Sequence, residues 1–411
     1  MLGQLYQFLD GALVRTKSEE GEWSVKPFAP DQTKVNKVHH ALLGCGIVVP
    51  DHTDAPAWLK TTVTSLFGKA REFIACRNGL MLPSFTWLWP HEPELLSFNA
   101  LEFDYDPQAP EPAEWLKFLA TLWPSDQKAI DTLQEWFGYL VSGQTYLQKM
   151  LLLIGPKRSG KGTILHTIGA LLGAENVSYS KLESLRDNFG LEPLIGKTAM
   201  LVGDSRMDTI GRGQGSIVEN LLSITGEDGR SVNRKFKTAW EGKLGARIVI
   251  ASNEAPRFND ASGTIAHRII PLRMRISFAD REDYGLKDRI MRELPGIFNW
   301  ALTGLRRLTE REHFVIPQSA RSTVEEIEAS ASPVKSFVDE LCVVAPERWA
   351  DTEQLYTQWG LWCLRNGHPV GSQPEFGRKL NAAVSSVERK RATHGKRPYR
   401  YIGIGLREGL V

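Results

Sequence analysis

The stretch that decides the fold is LLLIGPKRSGKGTILHTIGALLG, residues 151–173. A continuous apolar run leads to Gly155, four residues follow, and Gly160 and Lys161 open a segment with helical periodicity. Continuous apolarity is typical of a strand that is buried on both faces of a parallel sheet. Glycines let a loop curl so that backbone N–H groups face an anion, and a helix N-terminus adds its dipole. The stretch therefore predicts a strand, a phosphate-binding loop and a helix.

This loop departs from the common pattern directly after its lysine. Gly162 stands where a Ser or Thr is usual, and the hydroxyl follows one place later at Thr163. We expect Lys161 to reach the β- and γ-phosphates of a bound nucleotide, and Thr163 lies on the first turn of the predicted helix. The same ending occurs in nucleotide kinases, and a glycine-rich turn without a ligand is a further alternative. The residues predicted to contact the nucleotide are Gly155, Pro156, Ser159, Gly160, Lys161, Gly162, Thr163 and Ile164.

Three polar residues follow the loop in an order that suits ATP hydrolysis. The apolar runs KTAMLVGDS (197–205) and ARIVIASNEAPRF (246–258) carry Asp204 and Asn253 at their ends. Asp204 is predicted to hold Mg²⁺ or to orient the attacking water, and Asn253 to polarise that water and sense the γ-phosphate. Arg268, in SGTIAHRIIPL (262–272), is predicted to stabilise transition-state charge on a neighbour's ATP. Taken singly, each also fits an acidic strand end, a turn asparagine or a surface arginine.

The chain of 411 residues is long enough for several domains. Short apolar runs alternate with helical segments from residue 149, which predicts an α/β fold with a parallel-sheet core. Before it, a hairpin is predicted at 12–28 and helices at 31–44 and 55–73. The predicted regions are 1–106 (mixed α/β), 107–148 (proline-rich linker and helices), 149–325 (ATPase core) and 326–411 (linker helix and C-terminal domain).

A net charge of only +2 means that any DNA surface must be a local patch. One predicted patch is a hairpin made of SVNRKFK (231–237), a turn and KLGARIVI (243–250). The other is a pair of helices followed by a hairpin at 387–406, which is the pattern of a winged helix. A solvated basic surface without function is the alternative for both. The predicted DNA contacts are Arg234, Lys235, Lys237 and Lys243, then Arg378, Lys379, Lys390, Arg391, Lys396 and Arg397.

Composition points to a cytoplasmic protein. The four cysteines have no metal-ligand spacing and are expected to be reduced thiols. The N-terminus lacks the apolar run of a signal peptide, and no run approaches the ~20 apolar residues that span a membrane. Seven of the twelve Trp precede residue 150, and at helical spacing we expect them in the core rather than on a base-stacking platform.

Together these motifs resemble the superfamily 3 helicases of the AAA+ class, in the branch of phage and plasmid primase–helicases and the poxvirus primase–helicase. The resemblance rests on GPKRSGKGT, MLVGDS, IVIASNEAPRF and TIAHRI, and on ACRNGLMLP, LEFDYDPQAP and LQEWFGYLVSGQTYLQKMLLLIG before the core. It implies a P-loop AAA+ core, a preceding mainly helical domain, and a winged-helix-like C-terminal domain. It also implies a homo-hexamer that binds ATP between Lys161 of one subunit and Arg268 of the next.

The same resemblance implies a DNA helicase that uses ATP and Mg²⁺ on single-stranded or forked DNA in the replication of a phage, plasmid or other mobile element. A separate primase or other replication proteins would be its partners, since the primase module of larger relatives is not expected here. Members often have two adjacent acids where Ser205 follows Asp204, so Glu227, Asp228 and Asp208 are further candidates for the base. A P-loop nucleotide kinase and an ATP-binding initiator without unwinding activity remain as alternatives.

Overall fold

The structure is a computed structural model that describes residues 12–17, 23–28, 57–58, 73–82, 87–92, 95–96, 100–205, 214–256, 258, 260, 263–391 and 399–407. It contains two compact units. The first comprises the described residues of Met1–Arg206, Ser223–Glu254 and Ile270–Arg321. The second comprises those of Met207–Leu222, Ala255–Ile269 and Ser322–Val411. The four regions expected from sequence remain a prediction.

The strands follow in chain order. They are β1 (Ala12–Lys17), β2 (Trp23–Phe28), β3 (Ala57–Trp58), β4 (Ile74–Cys76), β5 (Gly79–Met81), β6 (Leu88–Trp89), β7 (Leu95–Leu96), β8 (Met150–Ile154), β9 (Val177–Tyr179), β10 (Ala199–Ser205), β11 (Gly229–Arg234), β12 (Lys237–Lys243), β13 (Arg247–Ser252), β14 (Ile269–Arg273), β15 (Cys342–Asp351), β16 (Glu388–Arg391) and β17 (Tyr399–Leu406).

The α-helices also follow in chain order. They are α1 (Ala113–Leu122), α2 (Gln127–Val141), α3 (Lys161–Leu172), α4 (Gln214–Thr225), α5 (Thr264–Arg268), α6 (Leu286–Arg292), α7 (Leu294–Arg311), α8 (Arg321–Ala331), α9 (Pro333–Leu341), α10 (Thr352–Asn366) and α11 (Gln373–Ala383). Within the described part of the chain, no helix combines the length and the apolar character needed to cross a membrane.

Early residues form small antiparallel sheets. Strands β1 and β2 pair with Ala12 opposite Phe28, which confirms the two strands of the predicted hairpin. The helix predicted over 55–73 is wrong at its start, because Ala57–Trp58 pairs with β7 as a strand. Such short pairings are decided by tertiary partners that local propensity does not contain. The rest of that predicted helix up to residue 72, and the one at 31–44, lie outside the described residues.

The core of the first unit is a five-stranded sheet with the order β14–β8–β13–β10–β9. The pairs β9–β10, β10–β13 and β13–β8 are parallel. Every residue of β8 and β13 is buried, as their continuous apolar runs predict. The predicted α/β fold with a parallel sheet is therefore confirmed.

Helices α2 and α7 pack closely in the same unit. A Cβ on Gly138 of α2 would lie 2.5 Å from the carbonyl oxygen of Ala301 in α7, so glycine allows the close approach. Beside this contact, the buried carboxylate of Glu135 accepts hydrogen bonds from Arg307 (2.6 Å) and Arg311. The helix pair is thus held by backbone proximity and by a buried ionic cluster.

Tryptophans of this helical region lie in the core, as predicted. Trp115 and Trp136 are fully buried, and Trp123 is 5% exposed. The Trp123 indole N–H donates to the carbonyl of Arg273 at 2.9 Å, which ties the end of α1 to β14. Trp87, in contrast, is half exposed. The described part of the helical region therefore uses its indoles for packing.

Strands β11 and β12 form the predicted basic hairpin, but with different boundaries. Its turn is Lys235–Phe236, and its second strand is Lys237–Lys243. The second strand predicted at 243–250 is wrong, because residues 247–252 are β13 of the central sheet. The continuous apolar run fits a strand buried on both faces, whereas the mostly exposed β12 fits a solvated ribbon.

In the second unit, α9, α10 and α11 pack on an antiparallel sheet with the order β15–β17–β16. The core includes Phe337, Leu355, Trp359, Phe376 and Ile404. The two predicted helices and the strands of the final hairpin are confirmed, as is the linker helix at α8. Helix α9 and strand β15 were not predicted, and the exposed residues of β15 leave it without a clear apolar pattern.

Candidate functional site

The loop between β8 and α3 is shaped by two glycines that cannot be replaced without strain. A Cβ on Gly155 would lie 2.7 Å from the carbonyl oxygen of Met274 and 2.8 Å from Ser159 Oγ. Gly160 has a φ of +91°, and a Cβ there would lie 2.9 Å from the ring of Phe118. A left-handed residue at the start of α3 turns the backbone into the helix. The predicted loop therefore has the curled backbone that its glycines suggested.

No close contact with a described residue requires a glycine at position 162. A Cβ built on it meets no atom within 4 Å among the described residues. Thr163, on the first helical turn, is half-buried and donates its N–H to the carbonyl of Gly160 at 3.0 Å. Ile164 is fully buried in the core, so only its backbone belongs to the loop. The packing would accept a hydroxyl residue at Gly162 as well as the one at Thr163.

Lys161 lies inside the loop and is only 9% exposed. Its ammonium donates to the carbonyl oxygens of Gly155 (2.6 Å) and Pro156 (2.7 Å). It also donates to Ser159 Oγ at 3.3 Å and to Asn253 Oδ1 at 3.1 Å. A buried ammonium requires oxygen partners, and the loop and the end of β13 supply them. Two predicted site residues, 92 positions apart in sequence, thus meet directly.

Strand register explains this meeting. Ser252, the last residue of β13, lies opposite Ile154, the last residue of β8. Ser205, the last residue of β10, lies opposite Ser252 on the other side. The backbone of Asp204 therefore reaches the same sheet edge as the loop, two strands away, or roughly 10 Å at the usual strand spacing. The pairing of β10 with β13 is irregular between Val202 and Ser205.

The segment after β14 holds the loop from the other side. Ser277 Oγ donates to the carbonyl of Lys157 at 2.9 Å, and the Phe278 N–H donates to that of Arg158 at 2.9 Å. The Arg158 guanidinium pairs with Glu282 at 2.8 Å. Three contacts at Lys157 and Arg158 hold the exposed part of the loop, so its shape is preorganised.

Arg268 is the last residue of α5 and is half-buried. The N–H of Ile265 in that helix donates to the buried Asp260 at 2.8 Å. The neighbouring His267 lies 3.8 Å from Glu328, which makes an ion pair when the imidazole is protonated. The action of Arg268 on the ATP of another subunit remains a prediction.

Glu227 lies far from the loop. The hydroxyl of Thr145 donates to its carboxylate, and Gln148 donates to the carbonyl of Gly226 at 3.3 Å. Thr145 and Gln148 precede β8, whereas the loop follows the far end of that strand. Glu227 and its neighbour Asp228 are thus at the opposite end of the sheet, and Asp208 lies outside the described residues. Of these candidates, Asp204 is the one whose strand ends at the same edge of the sheet as the loop.

Three of the predicted cations of the basic hairpin, Arg234, Lys235 and Lys237, lie at its tip beside an aromatic ring, whereas Lys243 lies at the other end of β12. Lys235, Lys237 and Lys243 are exposed, and the Arg234 guanidinium donates to the carbonyl of Thr238 at 2.8 Å. Phe236, at the turn, is 95% exposed. Phe236 was not among the predicted contacts: an aromatic between two lysines in a predicted hairpin hints at it, but its exposure is visible only in the structure.

Cations of the C-terminal patch are partly neutralised by neighbours. Lys379 pairs with Glu375 at 2.9 Å, and that hydrogen bond lowers the pKa of Glu375. Lys390 pairs with Glu388 in the same way. Arg378 and Arg391 are exposed on α11 and β16, while Lys396 and Arg397 lie outside the described residues.

Tyr399 adds an aromatic surface to this patch. The guanidinium of Arg389 lies 4.2 Å from the centre of its ring, and that of Arg391 lies 5.9 Å from it. Arg400 lies 3.5 Å from the centre of the Trp349 ring. Cations at such distances are attracted by the ring face. The sheet of the second unit therefore carries arginine–aromatic pairs next to the predicted wing.

The chain resembles known proteins at two levels. Residues 153–268, from β8 through Arg268, match the profile of a family described as of unknown function (DUF5906). That match covers less than half of the chain.

The fold is similar to solved structures of the C-terminal region of NrS-1. One apo structure matches with a TM-score of 0.53 and 14% identity, over 98% of this chain and 96% of that one. An A form apo structure of the same region matches with a TM-score of 0.50, 13% identity and the same coverage. At these identities the likeness concerns the fold alone, over nearly the whole of both chains.

Proposed function

We propose that this protein is an ATP-dependent DNA helicase that acts in the replication of a phage, plasmid or other mobile element. The observation that carries the proposal is the hydrogen bond between Lys161 and Asn253 at the rim of a parallel sheet. It joins a glycine-shaped loop to the polar end of the neighbouring strand. The finer fold assignment, a P-loop AAA+ core with a winged-helix C-terminal domain, is part of the same proposal.

The loop residues fit the triphosphate of ATP. Gly155 and Gly160 give the loop its curvature, and the N-terminus of α3 adds a partial positive charge. The buried ammonium of Lys161 would exchange loop carbonyls for phosphate oxygens, which are stronger partners. Phosphate binding therefore needs no new charge in the site, only a change of partners around Lys161.

Thr163 and Asp204 are the residues that would hold Mg²⁺. When bound, the ion neutralises charge on the phosphates. Magnesium usually keeps several waters and takes one or two protein ligands, so a hydroxyl and one carboxylate suffice. Asn253, on the strand next to the loop, would orient the attacking water through its carboxamide.

Arg268 would complete the site from a neighbouring subunit of a homo-hexamer. The guanidinium stabilises charge on the transferring phosphoryl group. The test mixes Arg268→Ala subunits with Lys161→Ala subunits, each inactive alone. We expect ATPase activity to return in mixed rings, because some interfaces then combine an intact Lys161 with an intact Arg268. No recovery in rings shown by light scattering to contain both variants would rule out action in trans.

The hairpin and the C-terminal patch would contact DNA. Lys235 and Lys237 are exposed at the tip of the hairpin and suit phosphate contacts that carry no sequence information. Arg378 on α11 and Arg391 on β16 suit the same role in the second unit. A separate primase would be a partner in replication.

A second candidate function is an ATP-binding initiator that does not unwind DNA. It is favoured by Ser205, which takes the place of the second acid in the strand-end motif. Such a protein is expected to hydrolyse ATP slowly, at a rate that DNA does not change. The rate of ATP hydrolysis with and without single-stranded DNA therefore separates the two functions.

ATP hydrolysis tests the proposed site directly. We expect single-stranded DNA to stimulate the wild-type rate, and Lys161→Ala to abolish it. Lys157→Ala is the matched control, because Lys157 is an exposed lysine of the same loop whose carbonyl, not its side chain, is held by Ser277. An unchanged rate in Lys161→Ala would exclude the proposed ATPase site.

A further inference from the structure

We infer that the tip of the β11–β12 hairpin binds single-stranded nucleic acid by stacking an unpaired base on Phe236. This inference rests on the proposed function for the presence of DNA. It adds a contact of a different kind, because the basic residues of the hairpin recognise phosphates whereas a phenyl ring recognises the face of a base.

The position of Phe236 is unfavourable for folding. Its side chain is 95% exposed, and its φ is +60°. The left-handed region is uncommon for any residue but glycine and is several-fold enriched in Asn and Asp, and two-residue hairpin turns prefer those residues. A phenyl ring here buries almost no apolar surface, and the exposed Lys235 ammonium, 5.4 Å from the ring centre, offsets only part of this cost. Its presence is explained by a contact that the isolated chain does not make.

Contacts on either side of Phe236 hold the backbone of the hairpin tip in a defined place. The N–H of Lys235 donates to Glu192 at 3.1 Å, and the side chain of Asn233 donates to Asn188 at 2.7 Å. Val232 is buried, and the backbone of Arg234 lies opposite that of Lys237 in the β11–β12 ladder. The segment around residues 188–192 thus supports the tip from one side. Because the backbone that carries the ring is already held, binding a flat partner has to restrict only the side-chain torsions of Phe236.

Charge around the ring selects nucleic acid over an apolar protein surface. Arg234, Lys235 and Lys237 flank Phe236, and the Lys235 ammonium lies 5.4 Å from the ring centre. The nearby acid, Glu192, is engaged by the Lys235 backbone. An apolar partner would have to desolvate these cations without compensation, whereas a polynucleotide supplies phosphates beside each base.

The strand that binds must have exposed base faces. In a duplex the faces of the bases are covered by their neighbours, and aromatic side chains stack on bases that are unpaired. Such stacking tolerates any sequence because every base has a π-face. The ring is therefore suited to one strand of a fork rather than to intact duplex.

A cycle between protein and ligand tests the stacking contact. Binding of the full chain would be measured to an oligothymidylate and to an abasic backbone of the same length. We expect Phe236→Ala to weaken binding to the oligothymidylate by about 5- to 150-fold, the range for loss of one stacked base. Binding to the abasic backbone should not change, and Phe236→Trp should retain affinity for the oligothymidylate.

Two controls separate stacking from other effects. Tyr284→Ala removes another aromatic ring, 84% exposed, from the same unit and should change neither affinity. Lys235→Ala should reduce the slope of log affinity against log salt concentration by about one, whereas Phe236→Ala should leave that slope unchanged.

Each failure has a different meaning. If the wild type binds neither ligand, the proposed function and this inference both fail. If the wild type binds but Phe236→Ala weakens both ligands equally, or neither, stacking is overturned while the helicase proposal stands. If Phe236→Ala changes the oligomeric state by light scattering without a base-dependent loss of affinity, the ring is a contact between proteins, and stacking is again overturned.

Discussion

The ammonium of Lys161 donates a hydrogen bond to the side-chain oxygen of Asn253 over 3.1 Å. Lys161 begins the helix after the loop, and Asn253 follows the neighbouring strand β13. If the Lys161 ammonium moves to bind phosphate, its hydrogen bond to Asn253, the residue that is proposed to orient water, must change as well. In the proposed function, this contact would couple phosphate binding to the side chain that orients the attacking water.

The first prediction concerns Asn253→Ala. The substitution removes one of several oxygen partners of the Lys161 ammonium, so the loop should persist and nucleotide affinity should change little. The orientation of the water is lost, and we expect kcat for ATP hydrolysis to fall about 10²- to 10³-fold, as for other single polar groups that stabilise transition states. Steady-state kinetics and binding of a fluorescent ATP analogue measure the two effects. A lost affinity with unchanged kcat would make Asn253 a binding residue only.

The second prediction compares two glycines of the loop. Gly160→Ala places a methyl group at a left-handed position and against the ring of Phe118, which should cost ~1–3 kcal/mol of stability and impair nucleotide binding. A Cβ at Gly162 would meet no atom within 4 Å among the described residues, so Gly162→Ser should leave both properties unchanged. Thermal unfolding and nucleotide titration of both variants check this. Equal effects would mean that the left-handed turn at Gly160 is not what shapes the loop.

The third prediction concerns the ionic cluster between α2 and α7. Glu135 is 2% exposed and accepts hydrogen bonds from Arg307 and Arg311. Glu135→Ala leaves two guanidinium groups without their acid, and we expect the free energy of unfolding to fall by about 3 kcal/mol. Lys128→Ala on the same helix breaks only the solvated pair with Asp131 and should cost less than about 1 kcal/mol. Urea denaturation of both variants would reveal whether the two losses are instead equal.

The fourth prediction concerns the thiols of the second unit. Burial raises the pKa of Cys342 to about 12 and that of Cys363 to about 11, from an ordinary 9.0. The folded protein therefore keeps these protons where the unfolded chain releases them, so their contribution to stability is complete below pH 9 and is lost as pH rises above it. In a Cys45→Ser variant we expect very slow thiol alkylation at pH 8 and rapid alkylation in denaturant, since the thiolate is the reactive form.

The same alkylation experiment also reports on Cys76. Cys76 is also buried, and burial raises its pKa, so it should behave as the other two do. Alkylation measured with and without denaturant counts the protected groups. Fast labelling of the native Cys45→Ser variant would show that at least one of these side chains is accessible in solution.

Much of the fold could be predicted from the sequence because its signals are local. Apolar runs gave the strands of the central sheet, and Gly155 and Gly160 gave the loop. The order of the strands was not predictable, since it depends on contacts between distant segments. The contact of Lys161 with Asn253 therefore required the structure. Phe236 was missed because its importance lies in exposure and backbone geometry, which composition does not encode.

Strand displacement on forked DNA tests the central claim most directly. The substrates would carry a 3′ or a 5′ single-stranded tail, and the proteins would be wild type, Lys161→Ala and Lys157→Ala. We expect wild type and Lys157→Ala to release the labelled strand from a tailed substrate only when ATP and Mg²⁺ are present, and Lys161→Ala to release none. Two results would contradict the proposed helicase. One is ATP hydrolysis without strand displacement from either tailed substrate, and the other is displacement by Lys161→Ala equal to that of wild type.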